Sequence, residues 1–312
     1  MRPPARPPAG RGSGRARAVA ATLAAGCMWG SIGPFVRVLD AQGFTPLTIV
    51  FARMSVAVVL LASFFILSDR GGLFRIKRKD LWRFVLAGFL SSVLLNVFYS
   101  ISIVLNPLSV ASVLLAASPV FVVLISRLVF RELFTANKLA ALAVVFIGCV
   151  FTSGLVSGGA GLGFSPLGLT VGLVAGIGWA MYSVMTRLCL NRGYHSLTVN
   201  FYTFFFGALL CLPFASPGAI AAAVGKTPLF MTAFLLGHTL ICSLLPYMLY
   251  TYGMKYLETG EASIIAAVDP VFAAFLGFFF YRETPDLPML TGFVLVLGGV
   301  ALLNLPGRFR QP

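Results

Sequence analysis

The chain has 312 residues, 59% of them hydrophobic and 10% charged, with a mean hydropathy of +0.95; a soluble domain of that length would lack the polar surface to stay in water. The net charge of +14 does not mark a nucleic-acid binder, because the basic residues follow the gaps between apolar segments and gather on no single helix. The five cysteines, Cys27, Cys149, Cys189, Cys211 and Cys242, stand singly in or beside apolar stretches, lack the paired spacing of a zinc or redox site, and are expected to pack as small hydrophobes.

Residues 1–17 are rich in Pro, Gly and Arg, cannot bury a core, and are expected to form a disordered basic arm in the cytoplasm. They do not read as a cleaved leader. Leu23 stands one place too far from Cys27 for a lipoprotein cleavage site, and Cys27 lies inside a unit that recurs later in the chain.

A bilayer core about 30 Å thick takes roughly 20 apolar residues at 1.5 Å rise each, and ten such stretches follow. A first unit, 18–156, holds Ala18 to Val36, Leu47 to Ser68, Leu81 to Val104, Leu108 to Leu128 and Leu139 to Leu155. A second unit, 167–305, holds Leu167 to Met185, Leu197 to Phe214, Leu229 to Gly253, Ala262 to Tyr281 and Leu290 to Leu303. Residues 306–312 form a short tail. The apolar runs are continuous, with no in/out alternation of the kind a barrel strand needs, so the expected class is an all-α polytopic membrane protein.

The second unit repeats the first. Tyr99 to Gly148 aligns without a gap on Tyr250 to Gly299 at a constant offset of 151. Pro119-Val120-Phe121 then falls on Pro270-Val271-Phe272, and Arg131-Glu132 on Arg282-Glu283. At an offset of 150, Gly26 and Trp29 fall on Gly176 and Trp179. Self-similarity at half the chain length means duplication of a whole unit.

With an inside N-terminus, the inner face collects nineteen of the 23 Lys and Arg. Five lie in Arg2 to Arg17, six in Arg70 to Arg83, and the rest are Arg127, Arg131, Lys138, Arg187, Arg192, Lys255, Arg308 and Arg310. The outer face keeps Arg37, Lys226 and Arg282. Basic loops stay in the cytoplasm, so both termini are expected there. Five spans per unit is an odd number, so the second unit enters the membrane upside down, as an inverted repeat.

Ser118-Pro119 and Asp269-Pro270 lie near the middle of the fourth and ninth stretches, where proline removes a backbone donor and kinks or breaks a helix. Interrupted helices at matching places point to a midplane transport site, because their freed ends can bind substrate or ion. Asp269 is the only acid near the centre of a stretch, at a cost of about 2.5 to 3.5 kcal/mol on insertion scales. It is expected to bind a cationic group or carry a coupling proton, against the alternative of a structural pairing with Arg53, the only basic residue well inside a stretch. Arg53 is near enough to the outer end for its side chain to snorkel out.

Trp29 and Trp179 either wall a cavity or anchor at an interface. Asn96, Tyr99, Tyr182, Tyr247 and Tyr250 add hydrogen-bonding tips, and Tyr99 and Tyr250 are favoured because they match across the repeat. His238 is expected to bond a neighbouring helix, and His195 to sit at a surface turn. Arg131-Glu132 and Arg282-Glu283 are expected to be solvated helix ends, since exposed ion pairs are weak, against the alternative of gating through salt bridges between the two units. A catalytic centre would need clustered nucleophiles, metal ligands or paired acids at membrane depth; the chain reads as neither an enzyme nor a metal or cofactor protein.

Two five-stretch units, a Gly-x-x-Trp in the first stretch of each, and Pro-Val-Phe followed by Arg-Glu in the fourth and ninth resemble the EamA-type transporters of the drug/metabolite transporter superfamily. The resemblance covers about residues 18 to 305. It implies an inverted-repeat bundle around a central cavity, in the cytoplasmic membrane, moving a small metabolite such as an amino acid, in the export direction, by alternating access. The alternative is an exporter of small drugs or a flippase of a lipid-linked compound. The expected partners are the substrate, the lipid bilayer and, at Asp269, a proton. Ser118 departs from a symmetric acid pair and leaves Asp269 the one candidate carrier.

Overall fold

The computed structural model describes residues 12–105, 114–152, 156, 165–281 and 286–304. Among them every regular element is a helix. Most of the expected arm, the whole tail, and Arg282 and Glu283 lie outside the described residues. Within the arm the expectation of disorder fails at its end: helix α1 begins at Gly12 and runs to Gly30. Arg15 pins this first stretch through a two-pronged ion pair to Glu261, at 3.0 and 3.1 Å.

After a turn at Ser31 the chain continues as α2, Ile32–Ala41. The break has a local cause, since Pro34 has no N–H to offer the Gly30 carbonyl four residues back. Helix α3 is Pro46–Leu67, with Thr45 capping its start. Next come α4, Leu81–Phe89, a π-helical segment, Leu90–Val97, and α5, Phe98–Leu105. Helix α6 is Ser118–Phe130, and α7 is Ala136–Thr152.

The second half follows the same order. It comprises α8, Pro166–Asn191, α9, Ser196–Cys211, and a short α10, Pro217–Lys226. Then come α11, Pro228–Thr239, a π-helical segment, Leu240–Leu244, and α12, Leu245–Gly253. The last helices are α13, Thr259–Ala266, α14, Asp269–Tyr281, and α15, Leu287–Asn304.

Among the described residues, six helical runs are long and apolar enough to cross a membrane: Gly14–Ala41, Pro46–Leu67, Arg78–Val97, Pro166–Asn191, Ser196–Phe214 and Pro228–Gly253. Their neighbours in the bundle are shorter apolar helices. Leu128, Leu229 and Val294 are 81%, 87% and 71% exposed, an outward face that water penalises and lipid tails accept. The chain is a multi-pass membrane protein.

The two halves interlock. Helix α1 packs on α12, α13 and α14, while α8 packs on α5, α6 and the first π segment. Each half thus lays its first helix against the third and fourth stretches of the other. Helices α7 and α15 form the most extensive helix pair, and glycine sets their approach. A Cβ added at Gly148 would come within 2.8 Å of the Val296 backbone nitrogen and 3.0 Å of the Gly292 oxygen. One added at Gly299 would meet the Val145 nitrogen and the Ala141 oxygen at 3.2 Å. These pairs exchange positions that match at the 151 offset. Their residue numbers have a nearly constant sum, which is the register of two antiparallel helices.

Candidate substrate site

The fourth and ninth stretches are both broken where the sequence suggested. Helix α6 starts at Ser118 after a turn at Ala117. Helix α14 starts at Asp269 after the turn Ala267-Val268 that follows α13. In each case proline occupies the second position of the new helix, where no carbonyl of that helix needs its missing N–H. What Pro270 withholds is a donor to the Ala266 carbonyl, the last of α13, and this ends that helix.

The first helix of the opposite half lies against each break, and small residues permit the contact. A Cβ at Gly26 would stand 2.5 Å from the Ala266 oxygen, and one at Gly30 would stand 2.5 Å from the Asp269 oxygen. Across the bundle, one at Gly176 would stand 3.4 Å from the Leu114 oxygen. Alanine at Gly26 or Gly30 would therefore push the broken helix away.

Trp29 and Trp179 follow these glycines by three residues and meet each other, with ring centroids 4.9 Å apart and planes at 90°. Trp29 also packs on Tyr247 and Tyr250, each at 5.5 Å. Trp179 packs on Tyr250 at 5.2 Å and Tyr182 at 5.7 Å. The three Trp29 pairs are edge-to-face, a favoured geometry for aromatic rings, and the two Trp179–tyrosine pairs are tilted at 42°. The three tyrosines are buried, whereas both tryptophans keep part of their surface exposed. The phenols are anchored outward: Tyr250 to the Ser183 hydroxyl and Tyr247 to the Ser91 hydroxyl, each at 3.0 Å.

The structure therefore brings Trp29, Trp179 and Tyr250 into one cluster, with Asp269 and Pro270 beside the glycine next to Trp29. Asp269 and Pro270 are half-buried, while Ser118 and Pro119 are buried on the far side of α8. Tyr99, the counterpart of Tyr250, is half-buried on α5. Arg53 stands elsewhere. It is 4% exposed and does not snorkel; its guanidinium donates to the Asn96 side-chain oxygen. Among the described residues no ion pair joins it to Asp269.

Two features escaped sequence reasoning. The π segments begin at Leu90 and Leu240, at matching places in the two halves, and interruptions of this kind cluster at functional sites. Asn96 and Tyr247 occupy them or adjoin them and match at the 151 offset, which was the one available signal. The second feature is Glu132, 9% exposed and not a solvated helix end. Its carboxylate accepts from the backbone N–H of Thr259 at 2.8 Å and of Gly260 at 3.3 Å, at the start of α13. Lys138 bridges Glu132 at 3.3 Å and Glu258 at 2.5 Å. The two halves are thus tied at one end by charges from both.

A surface groove lined by Cys27, Val268, Val271, Phe272, Phe275 and Phe293, among others, opens beside the Asp269 break and is wholly apolar.

The EamA-like transporter family matches the chain twice, over residues 16–154 and 166–305. An uncharacterized transporter of Archaeoglobus fulgidus is 28% identical over 284 residues, covering 91% of this chain and 94% of that protein. A protein of Streptantibioticus cattleyicolor named "Probable terminal-alkyne amino-acid exporter" is 28% identical over 298 residues, covering 95% and 96%. A solved crystal structure superposes with a TM-score of 0.71 at 17% identity, over 93% of this chain and 97% of that one, a likeness of fold. With both halves matched and the relatives aligned nearly end to end, the chain belongs to the EamA-like transporter family of the drug/metabolite transporter superfamily.

Proposed function

We propose that this protein is a secondary transporter that exports an amino acid or a related small metabolite across the cytoplasmic membrane by alternating access. The observation that carries the reading is the pair of broken helices at Ser118-Pro119 and Asp269-Pro270, each pressed against the tryptophan-bearing helix of the other half. Free helix ends there offer dipoles to a substrate, and the partly exposed tryptophan faces attract an ammonium. The name of the Streptantibioticus relative supports an amino acid as cargo.

The proposed architecture is ten spans in two inverted units, 18–156 and 167–305, with both termini in the cytoplasm. The antiparallel register of α7 and α15, equivalent helices of the two halves, supports inversion. The ion pairs of the described residues support the orientation: Arg15, Asp80, Arg83, Glu132, Lys138, Arg192, Glu258 and Glu261 all belong to the face that basic-residue counting assigns to the cytoplasm. Rocking of one half against the other would open the tryptophan cluster to either side in turn. Asp269 is the proposed proton carrier, for which a membrane potential of 100 mV supplies about 2.3 kcal/mol per charge. No nucleic acid enters this reading.

A second reading, export of drug-like compounds or flipping of a lipid-linked one, is favoured by the wholly apolar lining of the groove beside Asp269. One experiment separates the two. Proteoliposomes of purified protein are loaded with a mixed pool of amino acids and metabolites, and efflux is followed by mass spectrometry with and without a pH gradient. Selective depletion, accelerated by the gradient and lost in Asp269→Asn, is the expected result. Depletion indifferent to pH removes the proton from the reading, and no depletion from folded protein overturns metabolite export in favour of lipidic substrates.

A further inference from the structure

The chain has 9 acidic residues, and those described have other places than Arg53. Asp80 holds Arg83, Arg192 and the Tyr194 hydroxyl. Glu132, Glu258 and Glu261 belong to the cluster with Lys138 and Arg15. Asp40 and Asp69 are exposed, Asp286 accepts from the Met289 N–H, and Asp269 adjoins Gly30. Arg53, 4% exposed, has a neutral amide, Asn96, as its hydrogen-bond partner, and its Nε has no partner among the described residues. An uncompensated cation at membrane depth is costly, so an anion from outside the chain is its natural complement.

The surroundings suit an anion. Arg53 lies on α3, which packs on both π segments, and its partner Asn96 belongs to the first. His238, on α11, which packs on α3, is fully buried and stacked on Phe35 at 5.4 Å. Neither of its ring nitrogens has a partner among the described residues. The second π segment meets the break in the first helix: Ser31 approaches the Cys242 sulfur at 3.8 Å, while its neighbour Gly30 abuts Asp269. Through Gly30 that break meets Asp269, and through Ser31 it meets the π segment on which the Arg53 helix packs.

We propose that Arg53, with Asn96 positioning its guanidinium and His238 as a second donor, receives the carboxylate of the transported substrate. The substrate class is then α-amino acids and related zwitterions, with the ammonium end towards Asp269 and the tryptophans. This rests on the transport reading above and narrows it. Arg rather than Lys fits because the planar guanidinium keeps donors free for a carboxylate while Asn96 holds one of them.

The test uses full-length protein in proteoliposomes carrying Trp82→Phe, which leaves Trp29 and Trp179 as the fluorescent reporters. Amino acids found in the efflux pool are titrated beside their carboxamides and their decarboxylated amines, followed by tryptophan quenching and by competition against efflux. The parent should bind the acid about 10- to 100-fold more tightly than the amide, the range for one hydrogen bond to a charged group. Arg53→Met should remove that preference by weakening the acid alone, and Arg53→Lys should retain part of it, each checked for folding by thermal unfolding. Transport without preference for acid over amide overturns the proposal and leaves the transporter standing. Equal weakening of acid and amide in Arg53→Met also overturns it, by making Arg53 structural. A preference that tracks chloride or anionic lipid instead assigns the site to a resident ion or headgroup and overturns it too. Failure of every amino acid to leave vesicles of folded parent protein overturns the transport reading, and this proposal with it.

Discussion

Trp29 and Trp179, which stand at matching positions of the two halves, touch edge to face with ring centroids 4.9 Å apart. Contact between matching residues puts this pair on the relation that exchanges the halves, so any motion of one half against the other must pass through it. A double-mutant cycle with Trp29→Leu and Trp179→Leu should give a coupling of about 0.5–1.5 kcal/mol in thermal unfolding, the increment for a well-set aromatic pair. Additive losses would mean that the rings are neighbours without an interaction of their own. Substrate efflux should fall in both single variants, because each ring also contacts Tyr250.

The α7–α15 seam allows a prediction with an internal control. Gly148 faces backbone atoms of α15 at 2.8 and 3.0 Å from an added Cβ, whereas nothing lies within 4 Å of one at Gly298. Gly148→Leu should destabilise by about 1–3 kcal/mol through overpacking. Gly298→Ala should leave stability unchanged or raise it by up to about 1 kcal/mol, the helix-propensity gain. Thermal unfolding in detergent reads both, and similar losses in the two would show that glycine at the seam is not there for close approach.

Much of this arrangement was legible in residue order. Duplication, the proline breaks and the tryptophan pair depend on local identity and on the offset between halves, and a one-dimensional comparison preserves both. What it missed depends on contacts across the fold. Glu132 looks like a solvated helix end because the helix start it caps lies more than 120 residues away. The π segments have no composition of their own; a single inserted residue makes them, and Asn96 then turns its amide back to the Ser91 carbonyl. Arg53 is near enough to the start of α3 to snorkel, and it is the neighbouring Asn96 side chain that holds it inside.

His195 offers a pH test outside the membrane. Its Nδ1 accepts the Leu197 N–H at 3.2 Å and so caps α9, which requires that nitrogen to be unprotonated. Burial lowers its pKa below the usual 6.5, with Lys255 and Arg70 adding to the effect. The sign follows from linkage: the unfolded chain takes up the proton first, so the cap's contribution is complete above about 6.5 and is lost as pH falls through the lowered value. His195→Ala should cost about 1 kcal/mol at pH 8. His195→Asn should keep the cap and flatten the dependence between pH 5 and 7. Unfolding curves that shift with pH equally in the parent and in His195→Asn would remove His195 as the source.

Glu132 decides whether the halves are joined by a working ionic contact or by a decorative one. Its carboxylate satisfies two N–H groups at the start of α13 and faces the buried Lys138 ammonium. Removing one member of a buried pair typically costs 3–5 kcal/mol, because the other charge is left uncompensated. Lys138 keeps Glu258, so Glu132→Gln should fall near the low end, at about 3 kcal/mol. A solvated helix end would lose only about 0.5 kcal/mol. Lys138→Met added to Glu132→Gln should recover part of the loss, since the stranded ammonium goes with it. The functional readout is access: a cysteine placed at Val123, buried beside this cluster, should react faster with a membrane-impermeant thiol reagent added on the face that holds the cluster once Glu132 is gone. Unchanged reactivity together with a small stability loss would show that the contact does not hold that end shut.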